Sequence, residues 1–303
     1  MKAAALDLGS NSFHLLVADI GRSGELEAID SRKAVLRLGT VVQEQGRLSD
    51  QAFADALTAV GQLAAFAKQA GAEKLTTVGT SALRDARNGH AFCEACSTRW
   101  GVEVELLSGD EEARLAYVGA RSGLRLPGGR TLVADLGGGS LELAVGDGPS
   151  CDGASSLPLG FLRLARAFNV ADVAGTARLS RYVQLECEKA RWQLGRFDTL
   201  LLSGGTARAL GKLLGGGIAS ISSTQVIDLC DTLALMDCNA LLERGVGRNR
   251  ALTLATGAAV MSGVVAGFGR RELRISPRGL REGVLLRDLA RPPLRVPSPT
   301  ASW

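Results

Sequence analysis

ADLGGGSLE, residues Ala134–Glu142, is the stretch on which the fold turns. An apolar run, RTLVADLG, ends at Asp135 and breaks into three consecutive glycines before a second apolar run, LELAVGDG. That pattern is a strand, a Gly-rich turn and a second strand. The same plan stands 128 residues upstream. There KAAALDLG ends at Asp7, the chain turns through Ser10-Asn11-Ser12, and FHLLVADI resumes the extended run. A third extended segment follows each pair, ELEAIDSRKAVLRLG in the first copy and CDGASSLPLG in the second. Two copies of one plan predict a duplicated α/β domain with a cleft between the halves.

Beyond the hairpins the hydrophobic period lengthens to that of a helix. A helix fits Ser49–Ala70, with Ser49 as N-cap and Gly71 at its end. KLTTVGT reads as a strand, SALRDARNG opens a helix, and VEVELLSG returns to alternation. Asp110–Ala120 opens as a helix with acids in its first turn. In the second half FLRLARAF is helical, Ser180–Leu194 is a longer helix, DTLLLSGG a strand and TARALGKLLGG a helix. Helices are expected around Gln225–Leu235 and Ala251–Val265, a last strand at RELRIS, and a final helix near Leu280–Leu289. These elements assign residues 1–122 to one domain and 123–283 to another, with a helix at about 284–293 packing back onto the first. The Pro-rich tail, 290–303, is expected to be disordered.

Composition narrows the function classes. Of 303 residues, 46% are apolar, 22% charged and only 4% aromatic. This is a globular composition whose core must come from Leu, Val and Ala. The 38 glycines cluster rather than repeat, which excludes collagen. The net charge is +4, without a long basic run or a basic helix with interleaved aromatics, so no nucleic-acid partner is expected. Arg outnumbers Lys 29 to 6. Its planar fork suits phosphate oxygens, although a genomic composition bias gives the same split. Six cysteines are scattered without a framework, which points to a reducing cytoplasm. Cys93 and Cys96 have C-x-x-C spacing but no second pair and no nearby His, so they read as chance spacing on a helix. Asp7 interrupts the short run AAAL, which argues against a signal peptide. No apolar run approaches the ~20 residues that span a bilayer, and no membrane partner is expected.

The two turns carry the chemistry. A strand that ends in Asp and enters a Gly/Ser turn places a carboxylate beside exposed backbone N–H groups that line an anion. Gly137, Gly138 and Gly139 let the backbone approach a phosphate, and Ser10, Asn11, Ser12 and Ser140 add polar groups. Two facing hairpins would clamp phosphates with acids between them. Carboxylates beside phosphates point to Mg²⁺, with Asp7, Asp135 and Glu142 as candidate ligands. The sequence leaves open whether K⁺ joins it. The cleft between the halves is expected to be an anion channel that closes on its substrate.

ALDLGSNSFHLLVADI, TVGTSALRDA, LSGDEEARLAYVGA, VADLGGGSLELAVG, SLPLGFLRL, and RELRIS followed by LREGVLL fall in the order seen in exopolyphosphatase/guanosine pentaphosphate phosphatases. From Met1 to about Asp288 the chain resembles that family, whose wider superfamily includes actin, sugar kinases and Hsp70 chaperones. The resemblance implies two ribonuclease-H-like domains of the actin-like ATPase type. It is to the short form, without an added C-terminal helical region, and it implies a homodimer. The family's catalytic glutamate lies in SG-x-E-E-A-R, which places it at Glu112. Such a carboxylate would accept a proton from a water held in line with a phosphoanhydride. Glu111 is expected to face solvent. Arg84 matches an arginine of the family's phosphate channel, and Arg37 is a weaker candidate. His14 reads as structural. The turn Gly204-Gly205-Thr206 either closes the back of the channel or caps a helix through Thr206. Two departures stand out: Leu141 replaces a common Thr, and Arg278-Gly279 replaces Gly-Ala in the usual SDGALREG.

The resemblance implies hydrolysis of terminal phosphate from inorganic polyphosphate, with short chains as the better guess. Guanosine pentaphosphate is the alternative substrate for the same clamp, water and base. A kinase or ATPase of the superfamily, or a phosphate-ligand sensor, is more distant. SGDEEARL argues against the first and the intact acids against the second.

Overall fold

A computed structural model describes residues 1–21, 24–168, 170, 172–214, 221–234, 236–269 and 272–290. The first half builds a five-stranded sheet from β1 (Lys2–Leu8), β2 (Ser12–Ile20), β3 (Leu26–Val35), β4 (Lys74–Gly79) and β5 (Val104–Leu106). The second builds another from β6 (Arg130–Leu136), β7 (Leu141–Asp147), β8 (Ser150–Leu157), β9 (Thr199–Ser203) and β10 (Glu272–Ile275). The orders are β3-β2-β1-β4-β5 and β8-β7-β6-β9-β10. Each is an antiparallel three-stranded meander continued by two parallel strands. The duplication read from the two Asp-Leu-Gly turns is therefore present strand for strand.

The first half carries α1 (Leu38–Gln45), α2 (Asp50–Gln69), α3 (Ser81–Asp85), α4 (Gly89–Trp100) and α5 (Gly109–Arg121). The second carries α6 (Phe161–Ala167), α7 (Val173–Leu194), α8 (Gly204–Leu213), α9 (Ser223–Ala234), α10 (Cys238–Glu243) and α11 (Arg248–Phe268), and α12 (Leu280–Ala290) follows β10. In α2 the buried residues Ala56, Leu57, Val60, Leu63 and Ala67 recur at helical spacing and cover one sheet face. Ser49 Oγ caps that helix by accepting from Ala52 N at 3.2 Å. The 21-residue α11 is long and apolar enough to cross a membrane, a length the sequence reading missed. It is mostly buried against α7 and α9, as a core helix is.

The helix that matters most for function is α5, because it lies between the two sheets. Leu115 joins Ala3, Ala5 and Val78 of the first sheet with Val284 and Leu285 of α12. Ala113, Tyr117 and Ala120 pack on Val133, Ala144 and Leu201 of the second sheet. Helices α5 and α12 cross with backbones nearly touching: a Cβ on Gly119 would stand 2.6 Å from Gly283 N. Only glycine fits there. Helix α12 is also pinned to the first half, since Arg287 donates to both carboxylate oxygens of Glu105 at 2.9 and 2.7 Å. Truncating Leu115 to Ala would cost about 2–5 kcal/mol and loosen the seating of everything on α5.

Three local expectations are corrected. The third extended segment does not run to Gly39; β3 ends at Val35 and α1 begins at Leu38. The break is made by Arg37 at φ 52°, where Leu36 N and Arg37 N both donate to Asn11 O at 3.1 and 2.9 Å. Helix α7 starts at Val173 rather than Ser180, because Asp172 caps it by accepting from Gly175 N at 2.6 Å. Helix α10 has no counterpart among the sequence expectations. Glu111 faces solvent as expected, and there it closes a capping box with Ser108, accepting from Ser108 N at 2.9 Å. Residues 291–303, expected to be disordered, lie outside the described residues.

Candidate active site

The two hairpins meet. Each begins with an Asp at the end of a central strand, buried on its sheet faces by Ala and Leu neighbours. Asp7 stands opposite His14 across β1–β2, and Asp135 opposite Glu142 across β6–β7. The connecting loops touch: a Cβ on Gly138 would be 3.1 Å from Asn11 N, and one on Gly139 2.6 Å from Ser10 Oγ. The glycines are what lets the second loop lie against the first. Helix α6 fixes it from behind, with Phe161 N donating to Gly137 O at 3.2 Å and Leu162 N to Gly138 O at 2.9 Å. Arg163 spans the halves, donating to Gly139 O at 3.0 Å and to Asp85 Oδ2 at 2.6 Å.

Between them lies a cleft of about 150 Å³. It is lined by Asp7, Ser10, Asn11, Ser12, Glu112, Asp135, Gly137, Gly138, Gly139, Ser140 and Glu142. Every site residue singled out in the sequence lines it except Arg84 and the weaker candidate Arg37. Arg84 reaches Glu112 from the side, donating through Nη1 to Glu112 Oε2 at 3.1 Å and to Leu107 O at 2.8 Å. It faces a neighbouring cavity instead. Arg37 is exposed and outside the cleft, so it is no channel residue here. The loop serines are partly committed: Ser10 Oγ accepts from Ala82 N at 3.1 Å, and Ser12 Oγ lies 2.9 Å from His14 Nε2. Thr206 is not an N-cap; Ser203 holds that position, and Gly204 and Gly205 close the back of the cleft.

Glu112 projects inward because the capping box turns Glu111 back onto Ser108 and leaves the next side chain facing the cleft. It is 7% exposed. Burial and the nearby Glu142 carboxylate push its pKa well above the usual range, against the pull of Arg84. Burial likewise raises Glu142 to about 7, opposed by hydroxyls of Ser140 and Ser156. Burial raises Asp7 to about 7, with Arg281 opposing and Asp135 adding. Asp135 is raised by burial although Ser203 Oγ donates to its Oδ2 at 3.0 Å. His14 goes the other way: burial first, then Arg281 and Lys33, drive it down to about 2, so it is neutral.

Sequence reasoning missed the cations of the cleft. Arg208 of α8, Arg250 of α11 and Arg281 of α12 all line it. Arg250 Nη1 donates to Thr206 Oγ1 at 3.3 Å. Their influence is graded: all three act on His14, Arg208 and then Arg281 act on Asp135, Arg281 acts on Asp7, and Arg84 is the one arginine that opposes the shifts at Glu112 and Glu142. The cleft thus runs from an acidic end at Glu112 and Glu142 to a cationic end at Arg208 and Arg250. One signal existed: Arg208 follows the Ser-Gly-Gly turn by one helical turn.

The departures from the family pattern are absorbed. Leu141 is buried in the core of the second half, pointing away from the loop. Arg278 donates to Leu26 O at 2.9 Å and to Ser122 Oγ at 3.0 Å, tying the segment before α12 to the first half. Gly279 N donates to Glu282 Oε2 at 2.8 Å at the start of that helix.

The donor set fits a divalent cation. Asp7 Oδ1 is buried without a partner, and the carboxyls around it stay raised although Arg281, Arg208 and Arg84 partly compensate them. Among the described residues no three His, Cys, Asp or Glu side chains form a preformed shell. Mg²⁺ does not require one, because it keeps several of its waters.

The chain is similar to known proteins in sequence and in fold. The family model of the Ppx/GppA phosphatases matches residues 16–292. Exopolyphosphatase 1 of Mycobacterium tuberculosis is 31% identical over 95% of this chain and 88% of its own length. The crystal structure of the Aquifex aeolicus Ppx/GppA family member superposes with a TM-score of 0.81 at 27% identity, covering 95% of this chain and 97% of that one. An exopolyphosphatase from Cytophaga hutchinsonii shares the fold, with a TM-score of 0.84 at 22% identity over 95% of this chain and 98% of its own.

Proposed function

This chain belongs to the Ppx/GppA phosphatase family, and on that footing we propose that it is an exopolyphosphatase, releasing orthophosphate from the end of inorganic polyphosphate. The observation that carries this reading is Glu112: a buried carboxylate held by Arg84 at 3.1 Å, opening between two backbone loops that suit phosphate oxygens. The terminal phosphate would lie between Asn11 and Gly137–Ser140, and the rest of the chain would run toward Arg281, Arg208 and Arg250. Three arginines at one end and carboxyls at the other orient a polyanion in one direction.

In the reaction a water oxygen attacks the terminal phosphorus while the bridging P–O bond breaks. The shortened chain leaves with the bridging oxygen's electron pair, and Glu112 takes the water's proton. Arg84 aims Glu112 and opposes the rise that burial and Glu142 impose on its pKa, favouring the carboxylate that accepts the proton. A divalent cation, Mg²⁺ in this reading, would be held by Asp7, Asp135 and Glu142 and would neutralise charge on the phosphate oxygens. Backbone N–H groups of Gly138 and Gly139 would add donors that need no reorganisation, while Gly137 N holds the loop by donating to Ser140 O at 3.0 Å.

The names of the curated relatives favour polyphosphate over guanosine pentaphosphate. We further expect a cytoplasmic homodimer, with the exposed Leu185 and Trp192 of α7 as apolar surface available to it. Phosphate release from polyphosphates of graded length and from guanosine pentaphosphate, with and without Mg²⁺, tests the reading. Release from neither would overturn it.

A further inference from the structure

We propose that a second cavity, behind the glycine loop, is the exit and transient site of the released orthophosphate; this rests on the exopolyphosphatase reading. The argument starts from direction. A chain that enters past Arg208 and Arg250 puts its last phosphate at the inner, acidic end of the cleft. After cleavage the free phosphate sits at that end, and the remaining chain occupies the way it came. Departure through the cleft would require the chain to let go in every cycle.

Part of the wall of the cleft is shared with a neighbouring cavity. Ser81, Gly139 and Ser140 line the cleft, and the same three residues line that cavity, of about 390 Å³. At roughly 30 Å³ of liquid volume per water, that space accommodates a hydrated oxyanion. Gly139 contributes only backbone to the wall. Arg84 lines this cavity while its Nη1 holds Glu112 at 3.1 Å, so a cation stands beside the site of cleavage on the exit side. Arg163 lines it too, and the exposed Asp85 and Asp110 form its rim. Both arginines are already paired, Arg84 with Glu112 at 3.1 Å and Arg163 with Asp85 at 2.6 Å, so the passage attracts an anion weakly and does not trap it.

The test narrows the rim. Asp110→Trp adds bulk at an exposed first-turn position, and Asp110→Asn is the isosteric control. Bond cleavage is followed by rapid quench, and free phosphate by a fluorescent phosphate-binding reporter. In Asp110→Trp the first phosphate should form at the parent rate, followed by steady turnover slower by about 10-fold, as when product release becomes limiting. Asp110→Asn should show no burst. Equal steady rates without a burst, or first-turnover cleavage slowed by the same factor, would overturn the exit. A second measurement needs no variant: orthophosphate should inhibit the parent non-competetively against polyphosphate, because both occupy the enzyme together. Competitive inhibition would remove the exit and leave the functional reading intact. A parent that releases no phosphate from polyphosphate would remove both.

Discussion

The first and second hairpins have the same backbone and opposite chemistry. Asp7 and Asp135 occupy equivalent positions at the ends of β1 and β6, each with a partner directly across the ladder. In the first hairpin that partner is His14, held neutral by burial among Arg281, Lys33, Arg208 and Arg250. In the second it is Glu142, raised to about 7 by burial in an acidic setting. Duplication supplied two loops able to line phosphates. In the proposed reading, the residue across from each Asp would set the character of its end of the cleft, neutral at His14 and acidic at Glu142.

Converting one hairpin into the other breaks this comparison most severely. Glu142→His would give the second hairpin the pair found in the first. Losing that carboxylate should lower kcat by at least ~10²-fold, the order expected when metal-assisted charge stabilisation is removed. Activity within a few-fold of the parent would show that the acidic partner is not required.

The acid end should also appear in stability. Folding raises Asp7 from 3.8 to about 7 and Glu142 from 4.5 to about 7. Below about pH 4 both states hold these protons. As pH rises toward 7 the unfolded chain releases them first, so metal-free stability falls across that window. Mg²⁺ should reverse the loss, raising Tm by several degrees at pH 8 and by much less at pH 5. Melting curves with and without Mg²⁺ check this, and an equal shift at both pH values would contradict it.

The first hairpin should tolerate more. His14→Ala frees the Ser12 hydroxyl that His14 now holds at 2.9 Å. KM for polyphosphate should rise about 3–10-fold with little change in kcat, since one hydrogen bond of about 1 kcal/mol is lost. His14→Gln should restore most of the binding, and neither variant should move the pH profile. The smallest effect is expected far from both hairpins. Burial pushes the Cys93 and Cys96 thiols up to about 11 and about 12, away from the reactive thiolate. Activity of the double Ser variant should stay within about 2-fold of the parent. Stoichiometric zinc in the parent, lost in that variant, would overturn their idleness.

Legibility followed sequence distance. Asp7, Asp135 and the glycines were readable because a strand ending in Asp and a Gly-rich turn are contiguous signals. Glu112 needed the family motif, since three acids in a first turn do not reveal which one faces inward; the Ser108–Glu111 capping box settles it. Arg208, Arg250 and Arg281 were not readable as a group. They come from α8, α11 and α12, which only the folded chain brings to the cleft, with α12 packed against the first half. Helix α1 was hidden by Arg37, whose left-handed backbone is held by bonds to Asn11 O that no local pattern announces.

The central claim is that the two loops present a terminal phosphate to Glu112. Glu112→Gln keeps the shape and the Arg84 contact but cannot accept a proton. Measured with polyphosphate and Mg²⁺, kcat should fall by about 10²–10⁴-fold while polyphosphate affinity stays near that of the parent. Turnover within a few-fold of the parent would contradict the account, because the loops would then be feeding a different base.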